Sequence, residues 1–457
     1  AEATKANSVA LGDHSNTATD ATSETGMKVF NHDLTFAGAA TAAGNQVSVG
    51  SKGNERQVKN VAAGAVSATS TDAINGSQLY AVMNETKTHY YSVNAAEGYD
   101  NYNNEGATGK LALAAGAAAT ATGDNAVSVG YQTKASNASS VAIGNGTTAT
   151  ADNAIAQGNR ANASAAQAIA IGATANATAL NAVALGNVAT ASKEGALALG
   201  ANTKASQKYT VAVGNQANAG YDNATAVGTK SQATSQAALA VGASAEATND
   251  AAIALGNGAK AQRENSIAIG STANVTGESG VAIGKNTSVT AEKTVALGGE
   301  ITDAAEPNSV YLGYGASKAL NTNSKGTDAY ASDTFDGTTL NFAGGTPVGI
   351  VTVGNTTETR RIQGVSAGWI DAKSTDAING SQLYAVVKEV TKGWALTDQS
   401  NDGSDATKTS GKISKKLGES IQIKGGYTGT TSADTNIKTV VSGNAIDIQL
   451  AKDLTDI

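Results

Sequence analysis

The chain has 457 residues, a formal net charge of −7, 52 glycines, 4% aromatic residues and no cysteine. Mild acidity without a basic stripe argues against a nucleic-acid partner, and the missing thiols exclude disulfides and thiolate metal sites. A hydrophobic fraction of 40%, drawn mostly from Ala, Val, Ile and Leu, fills only narrow interiors, so a thin, repetitive architecture is expected.

Residues 1–56 read as the end of a first β-roll. Residues 57–88 read as a neck: VSVGSKGNERQVKNVAAG (Val47–Gly64) leads through a basic turn at Arg56 into STDAINGSQLYAV (Ser70–Val82). The neck residues singled out are Asp72, Asn75, Gln78 and Leu79, with Thr71/Asp72 as the expected helix cap. Residues 89–115 read as a junction, with Tyr90, Tyr91, Tyr99 and Tyr102 expected to pack it, an aromatic binding patch being the alternative.

Residues 116–356 carry a ruler. One glycine recurs every fourteen residues from Gly116 to Gly298, preceded by strings such as VAIG, IAIG, VALG and LALG. Five residues after each glycine stands Ala in most units, from Ala135 to Ala261, with polar residues just before it. Each unit is therefore expected to form two short strands and two turns, the turns marked by Gly and by Asn153, Asn181 and Asn265.

The first strand is apolar on both faces, which requires cover on both. Its Ala row suits the interior of a narrow roll; the Val/Ile/Leu rows are left outside. Val141, Ile143, Ile169, Ile171, Val183, Leu185, Leu197, Leu199, Ile253, Leu255, Ile267 and Ile269 are therefore expected to form the core of a homotrimer, joined by Gln157, which breaks the rule in IAQG. The polar row of Lys134, Asn162, Lys204, Gln232, Glu246 and Lys260 is the candidate ligand surface.

Residues 357–391 repeat the neck. VTVGNTTETRRIQGVSAG (Val351–Gly368) precedes an identical STDAINGSQLYAV at Ser374–Val386, with Asp376, Asn379, Gln382 and Leu383 matching the first copy and Thr375/Asp376 expected as cap. LTFAG (Leu34–Gly38) and LNFAG (Leu340–Gly344) extend the duplication upstream. Leu383, Val386/Val387 and Val390 have coiled-coil spacing. Residues 392–457 contain GWALT, ESIQIKGG and NAIDIQLAKDL.

Repeats such as NSVALG and SVAIG, followed by NVAAG and STDAINGSQLYAV, resemble the heads and necks of the YadA-like trimeric autotransporter adhesins of Gram-negative bacteria. The resemblance implies an all-β-dominated fold: a left-handed parallel β-roll solenoid with 14-residue repeats, trimeric, with short helical neck and coiled-coil segments and a small Trp-bearing, β-rich C-terminal stalk domain. It also implies a surface fibre that attaches to extracellular matrix proteins, host cells or other bacteria, held in the outer membrane by a C-terminal β-barrel expected to lie outside this sequence. A purely structural spacer is the alternative.

No enzyme signature competes. His14, His32 and His89 all lie outside the regular repeats, so no catalytic, metal or cofactor site is expected. A β-helix acyltransferase has a six-residue period, and a polysaccharide lyase needs carboxylates and Arg matched between coils. The polar row is too mixed for the flat Thr ladders of an ice-binding solenoid.

Overall fold

The computed structural model describes residues 1–29, 32–86, 98–318, 326–397, 412–421, 437–442, 445–450 and 452. It divides into two units: Ala1–Ser136 with Ala142–Gly146, and Asn137–Val141 with Thr147–Ile457. His89, Tyr90 and Tyr91 fall outside the described residues.

In the first unit, Val9–Ala10 pairs in parallel with Val47–Ser48. The chain between them forms an antiparallel hairpin, Gly26–Val29 against His32–Thr35. Helix α1, Gly76–Glu85, follows. Solenoid rungs begin before residue 116: Leu113–Ala115 pairs with Val127–Val129, and an isolated bridge joins Ala107 to Ala121. The expected junction at 89–115 is thus shorter, because Gly109 and Gly116 already stack on Gly123 and Gly130 of the next rung.

The second unit contains the regular rungs. Strands such as Ile169–Ile171 and Val183–Leu185 pair in parallel with a constant step of fourteen residues, Ile169↔Val183, Ala170↔Ala184 and Ile171↔Leu185. The short second strands do the same on the other side, Asn176↔Thr190 and Ala177↔Ala191. Identical residues therefore stack in files, the signature of a solenoid whose units bury surface only against their neighbours. Ala170, Ala184 and Ala198 from one sheet meet Ala163, Ala177 and Ala191 from the other, all fully buried. Side chains of this size let the two sheets approach closely, which is why the interior holds little else.

Two turns close each rung, and each contains a left-handed residue. From Asn181 (φ 57°) through Val188 (57°), Gly195 (65°), Asn202 (56°) and Tyr209 (55°) to Gln216 (59°), every seventh residue adopts this conformation. Asn tolerates it best after Gly. The ruler glycine has another reason. At Gly172 (φ 132°) a Cβ would lie 2.4 Å from the Gly186 carbonyl oxygen in the next rung, so no side chain fits.

Towards its C-terminal end the roll buries larger side chains. The file of Ala247 and Ala261 continues as Val275 and Val289 and then Ala304, while Ile301, also buried, takes the place of Thr287 one rung earlier. Tyr311, fully buried, takes the place held by Ala296 one rung earlier. The last rung, Val351–Thr352, pairs with Val310–Tyr311 after a second antiparallel hairpin, Ser332–Phe335 against Thr338–Asn341. Both heads thus end alike, with a hairpin inserted before the final rung. Helix α2, Gly380–Thr391, comes next. Further on, Trp394–Thr397 pairs antiparallel with Lys412–Lys415, and Ile437–Ser442 with Ala445–Leu450. Among the described residues no helix is long and apolar enough to cross a membrane.

Candidate functional site

Each rung presents three outward files. Two flank the buried Ala file on the first strand. Val141, Ile169, Val183, Leu197, Ile253 and Ile267 are half-buried, as are Ile171 and Ile269. Ile143, Leu185, Leu199 and Leu255 remain 37–42% exposed. Gln157 stands in the second of these files beside Ile171, exposed, and among the described residues its side chain makes no hydrogen bond. Parallel pairing keeps the files straight, so within the second unit they form ridges that are apolar apart from Gln157 and Thr225.

The third file lies on the second strand and is polar. In the second unit it brings Gln232, Glu246 and Lys260 onto successive rungs, and Lys260 Nζ lies 3.1 Å from a Glu246 carboxylate oxygen. Asn162 accepts from Thr148 Oγ1 at 2.9 Å and donates to Asn176 Oδ1 at 2.7 Å. Lys204 pairs with Thr190 and Asn218 and is exposed. In the first unit, Lys134 stands exposed beside Thr120. Much of this polar file is thus occupied by bonds between its own members. Of the junction tyrosines that are described, Tyr99 packs edge-on against Tyr131 at 6.0 Å, and Tyr102 is exposed.

The two necks are the same device built twice. Asn75 caps α1 and Asn379 caps α2, each in a capping box with the Gln three residues on. Gln382 Oε1 also accepts the Gly368 N–H at 3.0 Å, while its Nε2 donates to Gly368 O at 2.6 Å; Gln78 does the same to Gly64 at 3.0 and 2.7 Å. The expected Thr71/Asp72 and Thr375/Asp376 are not the caps. Their side chains are engaged elsewhere, because Asp72 and Asp376 accept the N–H of Ala65 and Trp369, both at 3.0 Å, and Thr71 and Thr375 pack on the hairpin glycines Gly38 and Gly344. Sequence could have told the two apart: only Asn75 and Asn379 have a Gln at the third helical position.

Arg360 clamps the last rung to the neck. Its guanidinium donates to Val353 O at 2.6 Å and Tyr314 O at 2.8 Å, and lies over Gly313, whose missing Cβ leaves the room. Arg56 repeats this on Val49 O at 2.7 Å, on Asp13 O and over Gly12. The arginine was visible as a basic turn, its role as a clamp was not.

Neither helix buries a residue in the single chain. Leu79 is 52% exposed, Leu383 56% and Val386 54%, so the seam faces outward.

Two family profiles match this arrangement of rolls and necks. The YadA head domain repeat matches successive segments between residues 107 and 300, and the coiled stalk of trimeric autotransporter adhesin matches residues 57–102 and 361–406. Together they cover more than half of the chain. It belongs to the YadA-like trimeric autotransporter adhesins.

Among YadA-like proteins, the chain is 32% identical over 124 residues to the autotransporter adhesin BtaE of Brucella suis biovar 1 (strain 1330), which takes in 23% of this chain and 17% of that protein. The chain thus spans about a sixth of that relative's length. Two solved structures are similar. The C-terminal YadA-like domain of BPSL2063 from Burkholderia pseudomallei is 35% identical, covers 26% of this chain and 46% of its own, and has a TM-score of 0.19. The collagen-binding domain of Yersinia adhesin YadA is 21% identical, covers 47% of this chain and 84% of its own, and has a TM-score of 0.23.

Proposed function

We propose that this chain is part of a homotrimeric, surface-exposed bacterial adhesin that attaches its cell to matrix proteins, host cells or other bacteria through the flanks of its roll. The observation that carries the reading is the pair of outward apolar files on the first strands. Fully covering one aliphatic side chain contributes roughly 1.5–3 kcal/mol, and the files repeat on rung after rung, half-buried or exposed in the single chain. Identical files on two further copies fit them in register, since all three chains share the fourteen-residue step, and a closed ring leaves no open apolar edge. The exposed seams of α1 and α2 call for the same partners.

The files from Val141 and Ile143 to Ile267 and Ile269, with Gln157, are then the trimer core, and the necks pass the chains from roll to helical bundle. The polar flank, with Lys134, Asn162, Lys204, Gln232, Glu246 and Lys260, stays outside. Many weak contacts multiplied by three chains suit such a surface better than one tight pocket. The role is one of binding, and membership of the family supports a position on the outer membrane of a Gram-negative cell.

Light scattering on the purified chain tests the assembly: a mass three times 45.1 kDa is expected, and a well-folded monomer overturns it. Attachment is read by coating beads with the trimer and measuring their retention on collagen, fibronectin and bacterial lawns. Retention no greater than that of uncoated beads on every surface overturns the adhesive role.

A further inference from the structure

Between residues 132 and 310 the repeats contain two aromatic residues, Tyr209 and Tyr221. They sit on the same edge of the roll in neighbouring rungs, on either side of Lys208 and Asp222, whose carboxylate accepts the Lys208 N–H at 3.0 Å. Tyr209 is 55% exposed and Tyr221 56%. In a stretch otherwise built from Ala, Val and short polar residues, these two rings offer aromatic surface to solvent, as Tyr131 and Tyr314 do beyond its two ends.

Tyr209 is held in a defined pose. It occupies a left-handed corner (φ 55°), and in the rung beneath the corresponding corner is Gly195. A Cβ there would come within 2.7 Å of Tyr209 Cδ1 and 3.1 Å of Cε1, so the ring rests against bare backbone. Its hydroxyl donates to Glu194 Oε1 at 3.2 Å, and the other carboxylate oxygen pairs with Lys208 Nζ at 3.3 Å. One side of the ring is backed, its tip is tethered, and the rest is open.

This edge is also the charged one, with Glu194, Lys208, Asp222, Asp250 and Glu264 at its corners. Charges at that density keep it in water when the apolar files on the first strands are covered.

We infer that Tyr209, Tyr221, Glu194 and Lys208 form a saccharide-binding platform. A pyranose presents a face of C–H bonds and a rim of hydroxyls. The backed tyrosine ring matches the face, since an aromatic carries its negative quadrupole there, and the carboxylate and ammonium groups at its margin match the rim as acceptor and donor. A protein hot spot needs the opposite setting, an aromatic anchor inside an apolar surround that excludes water, and here the surround is charged. The platform deepens the adhesin reading by naming its ligand class, and it rests on that reading for its biological context only, because every residue in it belongs to one chain. A trimer carries three copies, which turns weak single-site binding into firm attachment.

The solenoid supplies its own controls. Ala237 and Ala251 hold the same corner as Tyr209, both at φ 52°, and Ala165 and Ala179 stand where Tyr221 does, so Tyr209→Ala and Tyr221→Ala keep the fold. The test is retention of the full chain on immobilised neutral, sialylated and sulfated oligosaccharides, each class separately. Retention by at least one class is expected, weakened tenfold or more by Tyr209→Ala, by Tyr221→Ala and by Glu194→Gln, with mass and melting temperature unchanged. No retention on any class overturns the inference, and so does retention that all three variants preserve. Binding to a glycan-stripped protein that the variants abolish, with no saccharide retained, assigns the patch to protein contact and overturns it as well. A monomeric mass with saccharide retention intact sinks the assembly proposed above and leaves the platform standing.

Discussion

Gly280 and Val275 divide one small volume inside the roll: a Cβ on Gly280 would stand 2.9 Å from Val275 Cγ1 and 3.0 Å from Val289 Cγ1. One rung earlier the same two files hold Ser266 and Ala261, so methyl groups gained on one side are matched by a Cβ lost on the other. Gly280→Ala is therefore expected to cost about 1–3 kcal/mol through overpacking, read as a fall in melting temperature by circular dichroism. Adding Val275→Ala should recover part of the loss, with Val289 holding back the rest. A double variant as unstable as the sum of its two singles would show that the residues do not share the space.

Leu111 occupies a left-handed corner at φ 60° with 80% of its surface exposed. Asn125 and Asn153 hold the same place in later rungs, at φ 58°. Leu111→Asn should stabilise the first unit by about 1 kcal/mol, since a non-glycine residue with a Cβ and no local hydrogen bond resists this conformation by roughly that much. Hydrogen exchange at Ala112 and Leu113 would register the gain as slower opening.

Gln382 fastens three backbone groups, the N–H and C=O of Gly368 and the N–H of Asn379. Gln382→Ala should cost about 1–2 kcal/mol of local stability, exposing Trp369 to Thr391 to limited proteolysis while the rungs up to Leu312 stay protected, because solenoid units depend on their neighbours. Cleavage spread evenly over the rungs would contradict this separation.

Ile171→Asp places a carboxylate in an apolar file, whereas Asn218→Asp places one in the polar file. The first should yield monomers or aggregates by light scattering and the second should leave the mass at that of the parent. Gln157→Val completes the apolar file and removes an amide whose burial unpaired costs about 1–3 kcal/mol per group, so the assembly should melt higher. A lower melting point would mean that the three amides bond to one another in the trimer.

How much of this was legible differs from residue to residue. The files from Ile169 to Leu199 could be read directly, because a step of fourteen repeated without error places each residue type on one face and parallel pairing preserves the placement. The hairpins Gly26–Thr35 and Ser332–Asn341 were missed, since they stand outside the period and an antiparallel pair of four-residue strands has no repeat to betray it. Tyr311 escaped for a related reason: one extra residue shifts it against Ala296, so the ruler no longer points to its inward position. The cap at Asn75 was within reach, but two overlapping cap signals compete there and only the bond to Gln78 separates them. Tyr209 and Tyr221 were in plain view in the repeats, yet their place on one edge depends on stacking across rungs, which sequence distance hides.

The left-handed corner at every seventh residue gives each rung two half-turns of equal length but opposite character. Inserting or deleting fourteen residues leaves every file continuous, so a forty-two-nucleotide slip in the gene lengthens or shortens the reach of the protein without disturbing what it shows to its neighbours. A slip of seven residues would exchange the halves, setting Ile and Leu beyond the break against Asn and Lys before it. Reach can therefore drift by recombination between near-identical repeats, in steps that selection can act upon one rung at a time, while the faces themselves stay fixed.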